Sequence, residues 1–184
     1  MESFGATAIG GAQVSVPSRA ALEEQLGRLI AAHHSALRRL AASYAAAPSD
    51  CDDLLQEIAI AVWRALPAFR GECSERTFLF RIAHNRCITY RSRKRPTVSL
   101  DDAQIEPVDP EPGSEAMVSE EQQRRRLVEA IRRLPVIHRE VLVLFLEGMD
   151  YREIAAVVGI SESNVGARLN RARQQLKTLL EERS

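Results

Sequence analysis

Asp150–Leu176 reads DYREIAAVVGISESNVGARLNRARQQL. Asp150 followed three residues later by Glu153 is the pattern of a capping box, in which side chain and backbone at a helix start satisfy each other's hydrogen bonds. Ile154, Ala155 and Val158 face inward on a short helix, Gly159 makes the turn and Ile160 plugs it. Ser161 caps a second helix on which Val165, Leu169, Ala172 and Leu176 recur at i, i+4, i+7 and i+11. That spacing leaves Asn164, Arg168, Arg171 and Gln175 on the outer side, with Ser163, Asn170 and Arg173 nearby. Helix, glycine turn and helix with a basic outer face form the helix-turn-helix pattern, whose second helix fits a DNA major groove. A generic bundle with solvated arginines is the plainer account, but cap, turn, plug and face all agree on the motif.

Upstream, Leu127, Ile131 and Leu134 begin an apolar face that stops at Pro135, and Val141, Leu142, Leu144, Phe145 and Leu146 give a heavily buried helix closed by Gly148. Residues 124–184 therefore read as one helical domain. Residues 20–95 read as another. A long helix spans 20–47, with Leu26, Leu29, Ile30, His33, Leu37 and Leu40 at helical spacing, until Pro48, Ser49 and Asp50 interrupt it. A second helix starts near Asp52 and buries Leu55, Ile58, Ala59, Val62 and Leu66, leaving Asp53, Gln56, Glu57, Ala61 and Arg64 on another face. After the Phe69-Arg70-Gly71 turn, a third helix runs from Ser74 to about Arg95, where Pro96 disfavours its continuation.

That third helix carries seven Lys/Arg and no acid between Arg76 and Arg95. At 100° per residue, Arg81, His84, Asn85, Arg91 and Arg95 share a stripe, opposite Leu79, Ile82, Ala83 and Tyr90. Five of the nine aromatics (Trp63, Phe69, Phe78, Phe80, Tyr90) fall beside it. Cations that follow phosphates and rings that stack on bases suit single-stranded nucleic acid. The competing reading is an amphipathic helix with solvated arginines, and on these residues alone that reading has the better claim.

The 184-residue chain has 25 Lys+Arg against 25 Asp+Glu, a neutral total that argues against a nucleic-acid partner until it is divided by segment. Residues 20–95 hold twelve basic and eight acidic residues, and so do residues 124–184, each a net +4. Residues 96–123 hold eight acids, no Lys or Arg and half of the eight prolines, a net −8. Such a stretch buries too little apolar surface to offset its ordering entropy, so it reads as a flexible acidic linker spanning roughly 30 Å as a coil. The fold class is thus all-α: two small helical domains joined by that linker. Residues 1–19 stay unassigned.

Two sets of residues carry a family resemblance. Asp52-Asp53-Leu54-Leu55-Gln56-Glu57, Val62-Trp63-Arg64-Ala65-Leu66, Phe69-Arg70-Gly71 and Thr77–Asn85 resemble region 2 of the extracytoplasmic-function (group IV) sigma factors of the sigma-70 family. Leu134-Pro135, Arg139-Glu140-Val141, Tyr151–Ala155, Gly159–Glu162, Val165 and Arg168–Arg173 resemble region 4 of the same family. The resemblance spans roughly residues 22–180, and its two parts stand in the family order. It implies an RNA polymerase sigma factor that directs promoter-specific initiation, with core polymerase (the beta-prime clamp and the beta flap) and promoter DNA as partners. It also admits an anti-sigma factor.

By matching positions, Asp53, Leu54, Gln56, Glu57 and Trp63 would bind core polymerase. Phe69, Arg70, Arg76, Thr77, Arg81, His84, Asn85 and Arg91 would hold the melted minus-10 strand. Ser163, Asn164, Arg168, Arg171 and Arg173 would read minus-35 DNA. Glu75, Phe78, Asn164, Gly166 and Asn170 depart from residues frequent in the family, and Gly166 removes a phosphate contact expected there.

A helix-turn-helix regulator that acts without docking on polymerase is the alternative, and the region-2 motifs weigh against it. A metal-dependent hydrolase built on Asp50, Asp52, Asp53 and Glu57 with His33 or His34 needs ligands that converge. These acids instead cluster at a helix start, where they complement the macrodipole, and the histidines belong to another helix. No phosphate-binding glycine loop, H-E-x-x-H or nucleophile motif is present in the sequence, so no catalysis, cofactor or metal is expected. Cys51, Cys73 and Cys87 lack C-x-x-C spacing and read as reduced and structural. With no apolar run near the roughly 18 residues of a membrane span and no secretory pattern at the N-terminus, a cytoplasmic protein is expected. The linker is also expected to fold over the basic faces of the free protein.

Overall fold

The computed structural model describes residues 18–94 and 115–181, with side chains for 18–93 and 122–181. Seven α-helices account for nearly all of them, with no strand among the described residues. Helix α1 (Arg19–Tyr44) starts where the Ser18 hydroxyl accepts from the Ala21 N–H at 3.2 Å. It stops three residues short of the expected end, with Ala45 extended. The reason is Pro48, which does not interrupt a helix but opens one. Ala47 ahead of it is held extended (φ −124°, ψ 161°), and Pro48 takes the first turn of α2 (Pro48–Ala65), where its missing N–H costs nothing. A 3-10 turn at Leu66–Ala68 and Gly71 at φ 73° lead to α3 (Glu75–Lys94), whose start is capped by Ser74 accepting from the Thr77 N–H at 3.0 Å.

Helices α1, α2 and α3 pack pairwise into a three-helix bundle. Leu29, Leu37 and Leu40 from α1 share its core with Leu79, Phe80 and Ala83 from α3; spacing predicts all of these but Phe80, and Ile82, expected inward, is only half-buried. On α2 the buried stripe is rotated from the expected one. Cys51, Leu54, Ile58, Ala61 and Val62 are buried, whereas Leu55 and Ala59 are only partly so. The physical reason is that α2 is covered from two sides, by α1 and by α3. A helix wedged between two neighbours needs a wider apolar arc than one lying on a single surface.

The second half comprises α4 (Glu115–Arg133), α5 (Val136–Leu146), α6 (Tyr151–Val158) and α7 (Glu162–Glu181). Helix α4 begins inside the stretch expected to be linker, so residues 115–123 are helical; the run is rich in Glu and Gln, which are good helix formers. The rest of that expected linker, and its proposed cover over the basic faces, lie outside the described residues, as does Arg95. The capping box is present: the Asp150 carboxylate accepts from the Glu153 N–H at 2.7 Å, and the Glu153 carboxylate accepts from the Asp150 N–H at 3.0 Å. Gly159 sits at φ 79°, the left-handed region that a side chain would strain, and closes α6 with its N–H on the Ala155 carbonyl at 2.9 Å. Leu146, expected to be buried, is 56% exposed because it ends α5 just before the Gly148 turn.

The halves do not stand apart. Helix α3 packs on α6, and α1 packs on α4 and α5, so that one apolar cluster runs through both. No helix among the described residues is long and apolar enough to cross a membrane.

Candidate nucleic-acid interface

Helix α7 is held by Val165, Leu169 and Ala172, all buried, and starts on Ser161, whose hydroxyl accepts from the Asn164 N–H at 3.3 Å. Ser163, Asn164, Arg171 and Arg173 are therefore exposed together. The Arg173 guanidinium lies 4.8 Å from the Phe145 ring centroid, a cation–π contact that steadies it without hiding it. Asn164 accepts from Arg168 Nε at 3.2 Å. Arg168 differs from its neighbours. Its Nη1 donates to Glu140 Oε1 at 2.7 Å, and its side chain is only 20% exposed.

On α3 the expected residues divide. Arg81 and Asn85 are exposed, as is Arg70 in the preceding turn, and Arg91 is half-buried. Phe69 stacks on Phe78 with centroids 4.5 Å apart. Thr77 is buried, its hydroxyl 2.9 Å from that of Ser74, so it serves the helix start and is not offered to a ligand. His84 is buried too, with Nε2 3.1 Å from Glu140 Oε2. The stripe expected to be basic and outward therefore has one edge turned into the fold, because α3 packs against the second half as well as against α1 and α2. Arg76 donates to the Glu147 carbonyl oxygen at 2.5 Å and lies 3.8 Å from the Glu153 carboxylate.

On α2, Asp53 and Gln56 are exposed, while Glu57 and Trp63 are half-buried, and Glu57 pairs with Arg93 at 3.6 Å. Leu54, expected to touch a partner, is instead fully buried, so its side chain supports the helix from within. Asp52 pairs with Arg38 at 3.1 Å, and His33 meets Phe80 edge-on at 6.0 Å. Among the described residues no group of His, Cys, Asp and Glu converges as metal ligands would. The three cysteines are free, with Cys51 and Cys87 buried. Burial pushes both of those thiols up, which keeps them protonated and unreactive.

Sequence reasoning assigned no role to Arg39 or Glu147, and it used Arg139 and Glu140 only as marks of the region-4 resemblance. Arg39 grips Glu147 with two hydrogen bonds of 2.7 and 2.6 Å, and that hydrogen bond raises the Arg39 pKa. The buried Arg139 guanidinium donates to the carbonyls of Ile131 (3.0 Å), Leu134 (2.8 Å) and Ser43 (3.2 Å), and to that of Arg132. A signal was present for two of them: Arg139-Glu140 interrupts the most apolar of the described helices, VIHREVLVLFL, and charges there must find partners.

Two family models match the chain: sigma-70 region 2 over residues 29–97 and sigma-70 region 4 over residues 124–176. The RNA polymerase sigma factor NccH of Alcaligenes xylosoxydans xylosoxydans is 32% identical over 172 residues, 89% of this chain and 91% of that one. The RNA polymerase sigma factor CnrH of Cupriavidus metallidurans is 33% identical over 168 residues, 86% and 88% of the two chains. Among solved structures, CnrH in complex with the cytosolic domain of CnrY superposes with a TM-score of 0.67 at 30% identity, covering 88% of this chain and 91% of that one. The sigma factor RpoE of Bartonella quintana, solved with the anti-sigma factor NepR, gives 0.62 at 22% identity over 86% and 96%, a likeness of fold.

Proposed function

The chain belongs to the extracytoplasmic-function group of the sigma-70 family and is an RNA polymerase sigma factor, and from that premise we propose how its helices divide the work. Residues 20–95 act as region 2 and residues 124–184 as region 4. The outer face of α2, with Asp53, Gln56, Glu57 and Trp63, docks on the beta-prime clamp of core polymerase, and Leu54 holds that face from behind. Phe69, Arg70, Arg76, Arg81, His84, Asn85 and Arg91 hold the melted minus-10 strand, and Thr77 sets the start of their helix. A base is read on its pairing edge only after leaving the stack, at a cost of a few kcal/mol, so rings and backbone cations must act together. Ser163, Asn164, Arg168, Arg171 and Arg173 read the minus-35 element from the major groove.

The observation that carries this reading is the exposed polar stripe of Asp53 and Gln56 on a helix whose other sides are packed. A DNA-binding module acting alone has no use for the Asp53 carboxylate on such a face, which DNA repels, whereas a subunit that docks on polymerase does. The chain supplies specificity and no reaction of its own, and it works in the cytoplasm, where polymerase is. CnrH is solved with the cytosolic domain of CnrY, and we extend a protein partner of that kind to this chain. Changing Asp53 and Glu57 together to Lys should abolish co-purification with core polymerase while leaving helicity by circular dichroism unchanged. Normal co-purification of that double variant would overturn the α2 assignment.

A further inference from the structure

We propose that Tyr151 is a further DNA contact of the helix-turn-helix: its hydroxyl, held over Gly166, donates a hydrogen bond to a backbone phosphate of the minus-35 duplex. The proposal rests on the minus-35 role given to α7 above and adds to it a residue from the other helix of the motif. Tyr151 is the first residue of α6, and the first helix of such a motif crosses the DNA backbone while the second enters the groove. The ring is 39% exposed there, on a helix start fixed by the Asp150–Glu153 capping box.

Gly166 sets where that ring points. A Cβ on Gly166 would meet Tyr151 Cε2 at 3.4 Å and Cδ2 at 4.0 Å. Cε2 is bonded to the carbon that carries the hydroxyl, so the hydroxyl end of the ring is the end that leans over α7. A long side chain at 166 would occupy the same space; glycine leaves it to the tyrosine. The ring also stands edge-on to Phe145, with centroids 6.3 Å apart and planes at 63°, and the Arg173 guanidinium lies over Phe145 at 4.8 Å. Phe145 thus steadies two polar groups on one side of the motif.

That side is the right one for a phosphate. At 100° per residue Gly166, Asn170 and Arg173 share one flank of α7, Asn164 and Arg171 share the other, and Ser163 and Ala167 lie between them. The flanks of a helix seated in a major groove face the two strands that wall it. Arg171 serves one wall. On the other, Arg173 and the Tyr151 hydroxyl over Gly166 stand about two turns apart. A phenol donates to a phosphate oxygen without carrying charge, so this contact positions the duplex and reads no base.

The test uses holoenzyme reconstituted from core polymerase and the full chain, with a labelled duplex promoter selected from a random library by the wild-type chain. Tyr151→Phe removes the hydroxyl alone, and Tyr151→Ala removes the ring as well. Tyr151→Phe should weaken promoter binding about fivefold, with the urea midpoint of the free chain and co-purification with core polymerase unchanged. The loss should be equal on the selected minus-35 element and on its single-base variants. The slope of log affinity against log salt should stay the same, because a neutral donor releases no counterion. Unaltered binding by Tyr151→Phe beside a loss in Tyr151→Ala would show that the ring only packs, and would overturn the proposal. A loss that depends on the minus-35 bases would overturn it too, since the hydroxyl would then be reading a base. Arg171→Ala on the same fragment keeps this contact and the role of α7 apart. If Arg171→Ala weakens binding and Tyr151→Phe does not, the tyrosine contact alone fails; if neither does, the minus-35 role of α7 falls with it.

Discussion

Arg168 and Arg171 stand one turn apart on α7 and do different things. Arg168 is tied to Glu140 and Asn164, whereas Arg171 is exposed on the face that the helix-turn-helix geometry presents to a groove. Arg171→Ala should therefore weaken minus-35-dependent initiation by about 1–3 kcal/mol, the usual worth of one good base contact, with core binding unaffected. Run-off transcription from templates with and without a minus-35 element, beside co-purification with core polymerase, checks both halves of that statement. Loss of core binding would contradict the assignment. The same scale shows why position along the chain does not settle a residue's role. His84 and Arg81 fall on one stripe of α3 by spacing, yet one is buried against Glu140 and the other is open to solvent, because the second half packs on α3 through α6 and covers His84 but not Arg81.

At the scale of the helix, the features read most directly were those set by local chemistry. The capping box at Asp150 and Glu153, the left-handed Gly159 and the Ser161 cap each depend on residues within a turn of one another, and all three occur as expected. Helix edges and faces set by tertiary packing were less legible. The α2 stripe is rotated from the one that spacing alone suggests because two helices cover it, and α4 extends back to Glu115 through residues whose acidity alone suggested a linker. Gly166 tests the balance between helix propensity and packing on α7. A Cβ placed there would meet Tyr151 Cε2 at 3.4 Å, an ordinary contact with a ring that is 39% exposed and free to yield. Gly166→Ala should then stabilise the protein by up to about 1 kcal/mol, read as a higher denaturation midpoint in urea. A lower midpoint would mean that the Tyr151 ring cannot move and that its contact outweighs propensity.

The whole molecule is where sequence reading fell furthest short. Spacing along a helix carries no record of partners 56 to 108 residues away, and the bonds joining the halves, His84 to Glu140, Ser43 to Arg139 and Arg39 to Glu147, are of that kind. Two basic modules on an acidic tether suggested independent bodies; the structure shows a shared core closed by buried charges. Arg139 ties that closure to the packing of the second half itself. Its guanidinium serves three carbonyls at the end of α4 and one at the end of α1, and it lies 5.8 Å from the Tyr44 ring, whose buried phenol is itself pushed up by desolvation. Arg139→Ala leaves those carbonyls in a buried seam without a donor that water can readily replace, and the expected cost is about 3 kcal/mol or more. Because the shared core couples the halves, the parent should unfold in one cooperative transition by circular dichroism, and Arg139→Ala in two, with the α1–α3 bundle and the α4–α7 half melting separately. A single transition shifted by less than about 1 kcal/mol would show that the apolar contacts of α3 with α6 suffice to hold the halves together, and that the guanidinium only trims the ends of two helices.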